Sequence, residues 1–250
     1  MKLIGKNKIV PLSIGLFLVL ILSCSKSEFL ISEPDIVKEE ILPPFGEIIV
    51  NSIFDIELGN SPEFFIKMTG KKDILENISF QVKDGALVLT DGNSFRWLPD
   101  YPRVHITISF PDINSITLNT PSNVFSNDTL NVSDLSIVSE GNISEIDLTV
   151  KALSVNLRTS WTNFGNYTLK GQAENSNISI FGSARLDALE LQTNNARISN
   201  SSMGNCYVNV KGQLRVWLGH YGNIYYQGSP EEIIIEKMVS RGRLIQIEAD

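Results

Sequence analysis

Residues 178–219 read ISIFGSARLDALELQTNNARISNSSMGNCYVNVKGQLRVWLG, and the spacing inside this stretch decides the fold. Ile178/Ile180, Ala196/Ile198 and Leu214/Val216 are apolar pairs two residues apart, and they recur at steps of 18. A spacing of two puts both side chains on one face of a strand. One such strand cannot bury its own apolar face, so a repeat of this length implies units stacked on one another. Working outward, Ile116/Leu118, Leu135/Ile137 and Leu153/Val155 precede the stretch and Ile233/Ile235 follows it. The steps between first members are 19, 18, 25, 18, 18 and 19, and the long one predicts an insertion between Leu157 and Ile178. Between pair members stand Thr117, Ser136, Ser154, Ser179, Arg197, Arg215 and Ile234, which therefore face outward. Of the 22 asparagines, 17 lie between Asn114 and Asn223, where they suit tight corners. The expectation is an all-β chain whose residues 112–250 form a parallel β-helix-like solenoid. A sandwich of antiparallel strands is the alternative, and the regular step favours the solenoid.

Upstream, residues 45–111 alternate apolar and polar side chains. Ile48 and Val50 face one way, as do Ile78, Phe80 and Val82, and again Val104, Ile106, Ile108 and Phe110. Asp84-Gly85 supplies a two-residue turn between two of these runs. This N-terminal β region leads into the repeats without a linker, so one continuous core is expected. His105 falls on the polar phase of its strand, the position of a surface histidine.

The chain begins with Lys2, Lys6 and Lys8, an apolar run over Ile9–Leu22, and then Ser23-Cys24. The run is too short to span a bilayer comfortably and suits a signal-peptide core. Ile21-Leu22-Ser23-Cys24 resembles a lipobox, which implies cleavage after residue 23 and a lipid on Cys24. The membrane is then a partner through that lipid, and the address is the cell envelope, on the outer membrane. Residues 24–44 carry five acids and end in Pro43-Pro44, the composition of a solvated tether.

Charge and composition exclude several classes. The net charge is −7. Removing residues 1–23 takes away three lysines and no acid, leaving 18 basic and 28 acidic residues, a net −10. Such a surface is wrong for nucleic acid. Two cysteines and two histidines leave little for a metal site or acid–base chemistry, and no cofactor is expected. Cys206, beside Tyr207-Val208-Asn209-Val210, reads as a small buried hydrophobe.

At this level the chain resembles the head GIN domain family, the auto-transporter adhesin-type lipoproteins of Bacteroidetes. The resemblance is carried by Phe45-Gly46-Glu47-Ile48-Ile49-Val50, Phe54-Asp55-Ile56-Glu57-Leu58, Val82 to Leu89, Val104 to Pro111 and, most specifically, Gly222-Asn223-Ile224-Tyr225-Tyr226-Gln227-Gly228-Ser229-Pro230. Gly242 and Ile245 match its last coil. The family's serine–glycine pair after each strand is replaced by Thr120-Pro121-Ser122, Thr159-Ser160-Trp161 and Asn200-Ser201-Ser202, while Gly141, Gly182 and Gly219 remain. The resemblance implies a right-handed β-helix-like fold in the cell envelope.

The functional expectation is a non-catalytic adhesion module that binds a glycan or an envelope or host protein. Outward or corner aromatics, Trp161, Trp217, Tyr221 and Tyr225, with His220, are the candidate ligand-binding residues, because an exposed ring can stack on a sugar. A structural or sensory component with a periplasmic protein partner is the second reading, through the last strand Ile233-Ile234-Ile235-Glu236. A polysaccharide lyase or hydrolase is the third, by analogy of architecture alone. It needs aligned acids, and Asp112, Asp147, Glu174 and Asp187 are not expected to align from coil to coil. Asp128-Thr129-Leu130 resembles an O-glycosylation site.

Overall fold

Alternating burial along the strands sets the architecture: in β3 (Asp55–Asn60), Ile56 and Leu58 are buried while Asp55, Glu57 and Gly59 are not. The computed structural model describes residues 35–94 and 101–248, within one compact unit of Asp35–Asp250. The signal segment, Cys24 and residues 24–34 lie outside the described residues. The molecule is all-β, 65% strand, and forms a β-solenoid of about seven turns.

Two long faces enclose the core. On the back face, β2 (Glu47–Val50), β6 (Ala86–Asp91), β8 (Ser115–Leu118) and β11 (Asp134–Ser139) run parallel. On the front face, β3 does so with β7 (His105–Phe110) and β9 (Asn123–Ser126). The longer strands β12 (Glu145–Thr159), β13 (Asn166–Gly182), β14 (Arg185–Ser202) and β15 (Cys206–Leu218) each run along the front, bend, and continue on the back. The bend makes a short third side, where β10 (Leu130–Asn131) pairs with Val150-Lys151. β16 (Ile224–Gln227) and β18 (Leu244–Gln246) end the front face, and β17 (Glu232–Met238) ends the back.

The back-face core row is Ile116, Ile137, Leu157, Ile178, Ile198, Val216 and Ile235. Its steps are 21, 20, 21, 20, 18 and 19, so the expected insertion is absent. Leu153, expected inside, stands at the bend with 64% of its surface exposed, and Leu157 takes its place. Ile233 and Ile235 lie in register with buried Leu214 and Val216 but are 40% and 51% exposed. No described strand lies beyond β17 to cover them.

The N-terminal strands are not stacked in chain order. β2 lies between β6 and β8, and β3 lies between β7 and β9. The first rung made is therefore enclosed by the second and third. The far end is closed by antiparallel strands: β5 (Ile78–Lys83) folds back on β6 through Asp84-Gly85, both at positive φ, and β4 (Phe65–Lys71) covers β7. A single turn of helix, α1 (Lys72–Leu75), links β4 to β5 and buries Ile74 and Leu75. One hydrophobic cluster runs from Leu42 to Ile224.

The acidic tether is corrected over its second half. Residues Asp35–Ile41 are strand β1, antiparallel to β4. The acids that suggested solvation meet lysines across the pair, Asp35–Lys71 at 3.0 Å and Glu39–Lys67 at 3.5 Å. Ile36 packs against the core, and Leu42 is buried.

Candidate functional site

The front face buries Ile56, Ile106, Val124, Ile146 and Tyr167, which turns their neighbours outward in rows. One row reads His105, Asp55, Asn123, Glu145, Asn166 and Arg185. The row two residues on reads Thr107, Glu57, Phe125, Asp147, Thr168 and Asp187. Neighbours within a row are one strand spacing apart, about 4.8 Å. Phe125 and Asn123 thus lie side by side with carboxylates on the rung to either hand. An open groove of about 600 Å³ runs over them, lined by Asp55, His105, Asn123, Phe125, Glu145, Asp147, Asn166 and Thr168 among others.

Three of these carboxylates are held by cations or potential cations. Arg103 Nη1 lies 3.1 Å from Asp55 Oδ1, which also accepts from Asn123 Nδ2 at 2.8 Å. His105 Nε2 is 3.2 Å from Glu57 Oε2, and Asn127 donates to the other oxygen. Lys170 Nζ is 3.0 Å from Asp147 Oδ1. Its hydrogen bond to Asp147 holds the Lys170 ammonium above its ordinary range, with the charges of Asp147, Glu190 and Asp187 adding to the effect. Among the described residues the Glu145 carboxylate, the Asn166 amide and the Thr168 hydroxyl have no side-chain partner. The imidazole of His105 stands 6.0 Å from the Phe125 ring, centre to centre.

The candidate residues read from sequence do not form one site. Trp161 sits on a corner between β12 and β13, 70% exposed, its ring 4.4 Å from that of Phe181. Trp217 faces out on the back, under the Lys237 ammonium at 5.4 Å. His220 and Tyr221 touch edge to face on the next corner, at 4.8 Å, and Gly222 there backs onto the Gly204 carbonyl. Tyr225 is on the front face, stacked on Tyr207 at 4.8 Å and 9°. Only His220 and Tyr221 meet.

The acids also depart from expectation. Asp147 and Asp187 share a row, with Thr168 between them, and Glu57 lies further along it. Phe125, Glu145 and Asn166 are the residues that sequence reasoning missed. Their signal is the outward phase of the alternation together with steps of 22 from Asn123 to Glu145 and 21 from Glu145 to Asn166.

Cys206 is buried between Leu186 and Ile224, and burial pushes its thiol far above the usual range, so it is no nucleophile. Among the described residues no group of three His, Cys, Asp or Glu side chains could hold a metal, and no helix is long and apolar enough to cross a membrane.

Residues 44–230 match the family model described as "Putative auto-transporter adhesin, head GIN domain". The chain belongs to this family. No curated protein matches significantly. Solved structures share this chain's fold. A "putative adhesin" from Bacteroides fragilis NCTC 9343 is 22% identical with a TM-score of 0.78, covering 86% of this chain and 98% of its own. One of the same description from Parabacteroides distasonis ATCC 8503 is 16% identical at 0.63, with coverage of 86% and 98%. A "putative lipid binding protein" from the same organism is 13% identical at 0.56, with coverage of 87% and 98%. At these identities the likeness carries the fold alone.

Proposed function

We propose that this head GIN protein is a lipid-anchored, non-catalytic binding module of the cell envelope, and that it holds an adhesion ligand on its front face. The observation that carries the reading is the groove of about 600 Å³ with Phe125 at its floor and unpartnered Glu145, Asn166 and Thr168 around it. A cleft with an apolar floor and a few convergent polar groups is the usual form of a binding site. Membership of an adhesin-described family agrees with an envelope address. Cys24 supplies the anchor. The carboxylates of Asp55 and Asp147 are tied to Arg103 and Lys170, an arrangement that serves recognition better than proton transfer.

Protease treatment of intact native cells, with a periplasmic control, tests the address. Digestion of this protein alone supports surface adhesion, and protection removes that reading. Incorporation of labelled palmitate, lost in Cys24→Ala, tests the anchor. Release of unsaturated or reducing ends from an envelope polysaccharide would overturn the non-catalytic reading.

A second reading rests on the open end at β17, where Ile233 and Ile235 are exposed and a backbone edge is unpaired. There an envelope protein would add a strand. Recovery of the same protein by wild type, and not by an Ile235→Lys variant, supports it.

A further inference from the structure

We propose that the groove over Phe125 is a saccharide subsite that takes an amino sugar. This rests on the binding-module reading and deepens it. The ring of Phe125 provides an apolar floor of the kind that stacks on the C–H face of a hexose. Asn166 and Thr168 are unpaired donors and acceptors suited to its hydroxyls, and the Oδ1 of Asn123 remains free to accept while its Nδ2 serves Asp55.

Charge complementarity narrows the class. Of the acids around the ring, Asp55 is matched by Arg103 and Asp147 by Lys170, while both oxygens of Glu57 are engaged in hydrogen bonds with Asn127 and His105. Glu145 is the carboxylate there with no side-chain partner. The nearest unmatched cation in its row is Arg185, beyond Asn166, two strand spacings or about 9.6 Å away. The complement of this surface is one positive charge beside a polyhydroxylated ring, which is an ammonium on a sugar. A uronic or sialic acid would bring its carboxylate against Glu145 without a cation to meet it.

The test is calorimetric titration of the full chain, in detergent, with three probes: a glucosamine hexamer, an N-acetylglucosamine hexamer and a hexagalacturonate. The glucosamine hexamer is expected to bind most tightly, the N-acetyl form about tenfold more weakly, as loss of one charge-assisted hydrogen bond requires, and the galacturonate least. Glu145→Gln is expected to erase the difference between the first two, and Phe125→Ala to weaken both. Both side chains face solvent on formed strands, so circular dichroism should be unchanged. Asn166→Ala gives a second variant that leaves charge intact and weakens both amino and N-acetyl probes.

Equal or tighter binding of hexagalacturonate overturns the inference, as does undiminished binding by Phe125→Ala. A lysine hexapeptide that binds as tightly as the glucosamine hexamer also overturns it, because a bare cation would then suffice. If wild type and Phe125→Ala adhere equally to a responsive cell surface, the subsite falls while the adhesion reading stands. If wild type adheres to no surface, the adhesion reading falls instead.

Discussion

Asn163 is fully buried and spends both ends of its amide on a corner of the coil. Its Nδ2 donates to the Gly141 carbonyl at 2.7 Å and to Ser139 Oγ at 3.3 Å, and its Oδ1 accepts from the Gly165 N–H at 2.7 Å. Asn200 repeats the device: its Oδ1 accepts from the Ser202 N–H, and its Nδ2 donates to the Gly204 and Asn223 carbonyls. Corner backbone that leaves the sheet ladder is thus satisfied from within. Asn163→Ala orphans these groups and should cost about 3 kcal/mol in urea unfolding, since each unsatisfied buried group costs roughly 1–3. Beside it Tyr167 donates to Ser139 Oγ at 2.8 Å. Burial raises its phenol above the ordinary range, against the lowering effect of hydrogen bonds with Ser139 and Asn163. A raised folded-state value means that the contribution to stability is fully present below the unfolded phenol pKa of about 10 and is lost as pH rises through the folded one. Cys206 has the same sign. Alkaline titration should therefore show Tyr167 ionising above the ordinary phenol range, with stability falling in that window. Cys206 should resist a thiol reagent at neutral pH until the chain unfolds.

At the scale of elements, one core row contains its own control. Ile198 and Ile235 occupy equivalent positions, one covered by coils on both sides and the other at the open end. Ile198→Ala should cost about 3 kcal/mol, within the range for deleting a buried isoleucine, and Ile235→Ala less than about 1. Urea midpoints of the two variants decide it. The same row shows where sequence reading reaches its limit. Alternation fixes the phase of Leu153, Val155 and Leu157 alike, because all three are two apart. It does not say where the chain bends, so Leu153 looked as good a core residue as Leu157. Strand β1 was hidden differently. Its acids read as solvated until β4 supplied Lys67 and Lys71 across the pair. For the groove, the outward phase of Asn123, Phe125 and Glu145 was legible. Their meeting was not, because it depends on register between strands about 20 residues apart, which no local signal encodes.

The whole molecule divides into a part stacked in chain order and a part that is not. Coils after β9 each rest on the one before, which the repeat announced. That β2 and β3 sit between later strands was not announced, since parallel neighbours need no turn between them. Deletion of residues 231–250 should leave a chain that still unfolds cooperatively at a lower urea midpoint, because only the last, half-exposed coil is lost. Deletion of residues 47–60 should prevent folding, as it removes the rung that joins the closed end to the rest. Circular dichroism with urea titration separates the two outcomes.

The enclosed rung also makes the molecule mechanically unequal at its two ends. A pull on the C-terminus meets β18 and β17, each bonded along one side only, and opens them one bond at a time. A pull on the N-terminus strips β1 from β4 and then reaches β2, which is bonded along both sides to β6 and β8. That strand moves only if two ladders shear together. A load entering at the N-terminal end therefore meets a clamp, and a load entering at the C-terminal end meets a zipper.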